Sequence, residues 1–292
     1  MKVIVQYSGG KDSQGSLIWA VNTYKKENVI AVFSDTGWES EMTYKHIKET
    51  TDILGVKLVT VRSKKHKNML GMVKAKKRWM SPKARFCTEE LKIIPFIDWL
   101  LDEHKASALI VQGIRANESA ARSKMLKGCN LFKYYKVPYK YDKKGKAKYH
   151  SYRKKDVLKF LETYDDSIQR PMFNKTGQEV IDYIHENNQT PNPLYKMGMD
   201  RVGCFPCIMI TQPQLKEFNK RFPERLQEIV KLELEFNSTF FSKGKIPKHA
   251  CSNKSFPNMN DIIKYVEGKD ITIDMFETEE NTSCMSYYNQ CE

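Results

Sequence analysis

Two groups of residues in this sequence could do chemistry. The first is Ser8–Ser13, which reads Ser-Gly-Gly-Lys-Asp-Ser and follows the apolar run Val3, Ile4, Val5. Glycines let a backbone turn tightly and bring bare N–H groups close to a ligand. If a helix starts there, its partial positive charge adds to the attraction for an anion. Lys11 contributes a full charge, and Asp12 and Ser13 could order magnesium or cap the helix. The spacing excludes a Walker A loop, which needs four residues between its first glycine and Gly-Lys, and it lacks the three spaced glycines of a dinucleotide fingerprint. An ordinary βα turn also favours Gly, Asp and Ser. The second group is the cysteines. Cys204 and Cys207 form a Cys-x-x-Cys on a Gly/Pro turn within Arg201–Ile210, the pattern of a metal knuckle or a redox dithiol. Cys87 lies just ahead of a predicted helix start, a setting that lowers a thiol pKa. Cys284 and Cys291 stand near the C-terminus as mobile thiols or further ligands, and Cys129 is assigned no role. His249 and Cys251 come near a zinc set but not in a zinc-ribbon spacing.

The elements that must position these groups follow from hydrophobic patterning. Leu17, Ile18, Ala20, Val21 and Tyr24 repeat at helical spacing after the glycine turn, so the first motif is strand, turn, helix. Further apolar runs at Asn28–Asp35, Lys57–Arg62 and Ala108–Arg115 predict three more strands, separated by helical stretches at Glu39–Leu54 and Glu89–His104. Strands this apolar imply a parallel sheet covered on both faces. Ligands in such sheets gather at the carboxyl ends of the strands. Here those ends are Ser8–Ser13, Ser34–Gly37, Arg62–Ser63 and Gly113–Arg122. In the last of them Arg115 and Arg122 flank Glu118 and Ser119, an arrangement suited to phosphate or sulfate, or to a salt-bridge cluster. Thr176 with Glu179 predicts a capping box.

Lys133–Lys155 alternates basic and aromatic residues around an Asp-Lys-Lys-Gly turn and reads as a protruding hairpin. Such a hairpin could hold a phosphate backbone and stack bases, or be a solvated hairpin with cross-strand tyrosine pairs. Leu215–Phe236 reads as helix, and the chain beyond is irregular and rich in Asn, Ser and Lys. The expected organisation is a nucleotide-binding domain over 1–211, with the basic hairpin as an insertion near 133–155. A helical and irregular C-terminal extension over 212–292 carries the cysteine tail. The 292 residues, 40% hydrophobic and 11% aromatic, describe a globular protein. No apolar run approaches a membrane span, so a soluble cytoplasmic protein with no membrane partner is expected. Lys and Arg outnumber Asp and Glu, 49 to 35, which favours a polyanionic partner such as nucleic acid. Seven cysteines in a reducing compartment point to metal or redox chemistry, not a disulfide framework.

Taken together, SGGKDS, Ser34–Glu41 (SDTGWESE), Arg85–Lys92 (RFCTEELK), GIRANESAAR, NPLY and RVGCFPC make the chain from Met1 to Ile210 resemble the phosphoadenosine-phosphosulfate (PAPS) reductase family. The resemblance implies an α/β fold, a Rossmann-like open parallel sheet of the adenine nucleotide α-hydrolase-like type. Its first motif resembles the PP-loop of ATP pyrophosphatases. Reductases of the family have a degenerate first loop without Lys-Asp-Ser, whereas this chain keeps Lys11, Asp12 and Ser13. By resemblance it is therefore closer to pyrophosphatases that cleave ATP between the α and β phosphates. The implied roles follow the motifs. Ser8, Gly9, Gly10, Lys11, Asp12, Ser13, Ser34, Asp35 and Gly113 would bind ATP. Asp12 and Asp35 would place Mg2+, and Lys11, Asp12, Arg115 and Arg122 would act in catalysis. Cys87, Cys204 and Cys207 would hold an iron–sulfur (4Fe–4S) cluster, either with Cys284 or Cys291 as the fourth ligand or as a three-cysteine cluster with one open iron for sulfur transfer, with Zn as second choice. Clustered reductases carry a Cys-Cys pair where this chain has Phe86-Cys87, and Gln-Cys-Glu ends the chain where a reductive tail has Glu-Cys-Gly. The implied activity is AMP-forming ATP pyrophosphatase coupled to sulfur transfer, with DNA or tRNA as acceptor and a thiol or sulfur-donor protein as partner. The other readings are a PAPS reductase releasing sulfite and a non-catalytic nucleic-acid-binding module.

Overall fold

In the computed structural model, residues 1–253 and 256–268 are described. Runs of mostly aliphatic side chains make the central strands. These are β1 (Lys2–Gln6), β2 (Val29–Ser34, six residues), β3 (Lys57–Val61) and β4 (Ala108–Gln112). Two three-residue strands, β5 (Gly128–Asn130) and β8 (Ser167–Gln169), extend the sheet, and between them in the chain lies a separate two-stranded ladder, β6 (Lys140–Tyr141) and β7 (Ala147–Lys148). Among the described residues the main sheet has the order β3-β2-β1-β4-β8-β5. Every pairing is parallel except β5 with β8. From β1 the chain winds outward to β2 and β3, and on the other side β4 leads to β8. The order therefore reverses between β1 and β4, and a crevice opens at their carboxyl ends. Their register pairs Gln6 with Gln112, and the Gln112 amide donates to Gln6 Oε1 at 3.0 Å. The buried guanidinium of Arg170 donates to Gln112 Oε1 from Nε and Nη2. This is an α/β fold, a Rossmann-like open sheet with a helical C-terminal region.

The helix Lys11–Tyr24 packs Leu17 and Ala20 on one face of the sheet, beside Val5, Ala31 and Val111. Its other flank meets the helix Gly177–Glu186 through Ile18, Met172, Val180 and Ile184. The opposite face of the sheet is covered by a helical stretch over 86–104, with Phe96, Ile97 and Leu100 against Ile4, Val32 and Ile110. This stretch widens to π-helical turns at Glu89–Ile93 and Leu100–His104. Such turns are rare and cluster at functional sites.

Two expectations change. The helix expected over Leu215–Phe236 is two helices, Gln212–Arg221 and Pro223–Phe236, because Pro223 cannot continue the first and instead opens the second. The hairpin expected over Lys133–Lys155 contracts to the two-residue β6/β7 ladder. A helical turn, Lys133–Lys136, precedes it and buries Tyr134 and Tyr135. The C-terminal helices share one apolar cluster with Trp38, Met69 and Met72, to which Leu215, Phe218, Leu226, Ile229 and Phe240 contribute.

Candidate nucleotide site

The turn after β1 is built to leave the start of the first helix open. Gly9 adopts φ +75°, and a Cβ there would lie 2.9 Å from Ile47 Cγ1. Only glycine fits both demands. Gly10 stands at the N-cap and lends the helix start no side-chain hydrogen bond. Ser13 closes the turn from inside: its Oγ donates to the Gly10 carbonyl at 2.9 Å and accepts the Ser8 N–H at 3.2 Å. Gly113, at the end of β4, touches this turn directly. A Cβ on it would stand 2.4 Å from Ser13 N and 2.6 Å from the Asp12 carbonyl carbon.

Charge collects around this backbone. Arg115 donates from Nε to Asp12 Oδ1 at 2.6 Å and from Nη1 to Asn117 Oδ1 at 2.5 Å. Lys11 Nζ lies 3.7 Å from Asp12 Oδ2 and 5.2 Å from the ring centre of Tyr195. Burial lowers the Lys11 pKa from its ordinary value; Asp12 opposes this, and Arg115 adds to it. Arg122 is buried and paired with Glu118. The capping box at Thr176 and Glu179 forms, and it starts the helix Gly177–Glu186 against Lys11 and Arg115.

Two cavities meet here. The larger, about 620 Å3, is lined by Ser8, Gly10, Lys11, Asp12, Ser13, Gly113, Arg115 and Arg122, and by Asp200 and Arg201 from the opposite wall. The smaller, about 190 Å3, continues between Gln6, Phe33, Ser34, Phe96 and Gln112. Ser8, Ser13, Lys92, Gly113, Arg122 and Gly203 line both. A polar, cationic chamber joined to a narrower, more apolar one matches the two ends of a nucleotide.

Most predicted residues therefore converge. Ser34 borders the smaller cavity, and its hydroxyl donates to the Lys92 carbonyl at 3.3 Å. Asp35 borders neither cavity. It is 2% exposed, and its oxygens accept from the Gly37 N–H, the Tyr44 hydroxyl and Arg62 Nε. It organises the loop after β2 and does not face the crevice. Gly9 shapes the turn from behind, with its carbonyl accepting from Asn192 Nδ2 at 3.2 Å.

Among residues that sequence reasoning did not single out, Tyr195 accepts the Lys11 N–H at 2.9 Å, and burial raises its phenol pKa, which keeps it protonated. Asn192 also donates to Thr43 Oγ1, and Thr43 in turn donates to the Val202 carbonyl, tying the turn after β1 to the segment before Cys204. The motif NPLY was visible; nothing in its spacing said that it grips a turn 184 residues away.

Cys87, Cys204 and Cys207 share the wall of one small cavity with Arg85 and Lys92. Cys204 and Cys207 also line the large crevice. Thiols are the right donors for an iron–sulfur cluster or zinc. The enclosed space, however, is about 10 Å3, and among the described residues no three potential ligands converge on one point. The arrangement as it stands fits neither group. Cys284 and Cys291 lie outside the described residues. Cys251 is buried and donates to the Pro247 carbonyl at 3.5 Å. No described helix is long and apolar enough to cross a membrane.

The family model of the phosphoadenosine phosphosulfate reductase domain matches residues 2–210. An uncharacterised 37.8 kDa protein of Escherichia phage 186 is 26% identical, over 85% of this chain and 81% of that protein. Two uncharacterised proteins of Methanocaldococcus jannaschii are 25% and 22% identical over 76% and 90% of this chain, which spans only 39% and 55% of their lengths. Among solved structures, PAPS reductase from Candida auris in complex with phosphate is 14% identical with a TM-score of 0.43, covering 70% of this chain and 82% of that one. FMN adenylyltransferase from Candida glabrata, with FAD and inorganic pyrophosphate, is 15% identical with a TM-score of 0.43, covering 70% of this chain and 55% of that one.

Proposed function

The chain belongs to the phosphoadenosine phosphosulfate reductase family, and from that premise we propose that it is an AMP-forming ATP pyrophosphatase coupled to sulfur transfer, with nucleic acid as acceptor. The observation that carries this reading is the intact Lys11-Asp12-Ser13 at a helix start whose N-cap is a glycine, opening on a cationic chamber joined to a narrower pocket. Backbone N–H groups of the turn other than that of Lys11, together with the Lys11 ammonium and Ser13, hold the β and γ phosphates. Phe33, Ser34 and Gln6 border the adenosine. Arg115 and Arg122 stabilise charge at the α-phosphate as an acceptor oxygen attacks it. The α–β bridging bond breaks, and pyrophosphate leaves with the electron pair. Catalysis is mainly preorganised charge, since phosphoryl chemistry asks little covalent help. The acceptor adenylate then loses AMP to an incoming sulfur nucleophile from a thiol or sulfur-donor protein.

Mg2+ brought in on the phosphates would compete with Arg115 and Lys11 for the Asp12 carboxylate. An iron–sulfur cluster on Cys87, Cys204 and Cys207 would require those thiols to draw together. Iron and sulfide contents of anaerobically purified wild type, set against Cys204→Ser, test it. A second reading, PAPS reduction, draws support from Cys204 and Cys207 on the same crevice. Labelled ATP and labelled PAPS, each incubated with the anaerobic protein and magnesium, separate the two. AMP and pyrophosphate support the pyrophosphatase; adenosine bisphosphate and sulfite with ATP untouched overturn it.

A further inference from the structure

A third cavity, about 530 Å3, lies away from the phosphate chamber, between the π-helical turn Glu89–Ile93 and the segment around β6 and β7. Its walls are unusually aromatic: Tyr135, Tyr139, Tyr149, His150 and Tyr152, with Lys140 at the rim and Ile93, Ile94 and Ile97 as its floor. His150 sits within 5.1 Å of the Tyr139 ring and 5.7 Å of the Tyr135 ring, centre to centre. Burial holds its pKa down at about 4, so the imidazole itself is neutral at physiological pH, and Glu89 adds one carboxylate to the lining. Tyr149 is 39% exposed and Tyr141 65%, large aromatic surfaces left to solvent. Around this pocket cations predominate, although Arg153 is paired with Asp98, Asp102 and Asp156, and Lys148 with Asp142. Residues 133–155 carry ten Lys and Arg against the single Asp142, a net +9 of the chain's +14.

We infer that this cavity takes an unstacked base of single-stranded nucleic acid, while the lysines of 133–155 hold the backbone on either side. Aromatic walls under a cationic rim are the two halves of single-strand recognition: stacking is indifferent to base identity, and lysines follow the phosphates. A duplex keeps its bases stacked inside and cannot offer one to the pocket without unpairing. Ile93 lines both this cavity and the smaller part of the nucleotide crevice, so the bound base lies across one side chain from the proposed adenosine pocket. The inference deepens the nucleic-acid part of the proposed function and rests on that part alone.

The test is fluorescence anisotropy with the full-length protein and no nucleotide, so that its outcome is independent of ATP cleavage. The probe is a labelled mixed-sequence 20-mer, as single strand and as duplex, titrated at several salt concentrations. Single-strand binding that weakens steeply with salt and exceeds duplex binding is expected. Tyr139→Ala with Tyr149→Ala should weaken it roughly ten- to hundredfold at an unchanged melting temperature, whereas Tyr139→Phe with Tyr149→Phe, which keeps the ring faces, should bind like wild type. Lys143→Gln with Lys144→Gln and Lys146→Gln should lower both affinity and salt slope. Equal affinity for duplex and single strand, or alanine variants that bind like wild type, would overturn the base pocket. No binding at low salt would overturn the proposal entirely.

Discussion

Lys11 is held from two sides, by the Asp12 carboxylate at 3.7 Å and the Tyr195 ring at 5.2 Å, with its own backbone N–H taken by the Tyr195 hydroxyl. Its position is set before any ligand arrives. Lys11→Ala should therefore lower ATP turnover by about 100-fold or more, the usual effect of losing one preorganised charge. The melting temperature should move far less than turnover, because Asp12 keeps Arg115 as its partner when the lysine is gone. Steady-state kinetics beside a thermal melt decide it, and unchanged turnover would remove Lys11 from the site. Gly113 makes the opposite kind of prediction. A methyl there would meet backbone atoms of Asp12 and Ser13 at 2.4 to 2.6 Å, and backbone cannot step aside as a side chain can. Gly113→Ala should cost about 1–3 kcal/mol or more and abolish nucleotide binding. Gly203→Ala, whose Cβ would find nothing within 4 Å, should leave the melting temperature alone. Equal melts for the two variants would show that β4 and the phosphate turn are not in register-setting contact.

At the scale of elements, the phosphate turn depends on a second turn far away in the chain. Asn192 is fully buried; its Oδ1 accepts the Leu194 N–H, while Nδ2 reaches the Gly9 carbonyl and Thr43 Oγ1. Asn192→Ala strands buried polar groups at a cost of about 1–3 kcal/mol and frees the turn after β1. A lowered melting temperature with a raised KM for ATP is expected, and a variant that lost stability while keeping wild-type KM would make Asn192 merely structural. This coupling was not legible in the sequence, because hydrophobic period reports a face, not a partner. What was legible followed from period and length. The strands β1, β2 and β4 are near-continuous apolar runs, as buried parallel strands must be, while the edge strand β3 leaves Lys57 and Thr60 exposed; the capping box stands at Thr176 and Glu179 as its residue types require. β5 and β8 escaped because three residues with a single buried apolar side chain, as in Ser167–Gln169, carry no period. The helix after Thr211 was read straight through Pro223, although a proline inside an apolar repeat is itself a boundary signal. In 133–155 alternating Lys and Tyr read as strand, but the burial of Tyr134 and Tyr135 and the helical turn they share come from packing with neighbours such as His150.

Across the whole molecule, stability should fall in mild acid. His46 and His150 are held neutral by burial, with pKa values lowered from 6.5 to about 4. Between those values the unfolded chain binds protons that the folded chain does not, so stability is complete above pH 6.5 and declines toward pH 4. Each imidazole contributes up to about 1.4 kcal/mol per pH unit. Denaturant melts across that window should show the slope, and His46→Gln, which keeps a polar partner for Gln14, should flatten it; an identical slope would mean the acid limb arises elsewhere. The C-terminal helices pose the larger question of how much chain the fold needs. The family match stops at residue 210, yet the apolar cluster does not. Trp79 lies 4.8 Å from Phe240, Arg225 stands 3.8 Å over the Trp38 ring, and Arg225 Nε also donates to the Phe205 carbonyl beside Cys204. Removing everything after Ile210 would expose Trp38, Trp79, Met69 and Met72 together, at about 1.5–3 kcal/mol for each large side chain uncovered. That loss is comparable to the whole stability of a domain. A chain ending at Ile210 should therefore aggregate or melt far below the full protein, although every residue of the phosphate turn is present. Should the truncated chain melt like the full one and bind ATP as tightly, the cluster around Trp38 would be a docked accessory, and the nucleotide domain would stand alone.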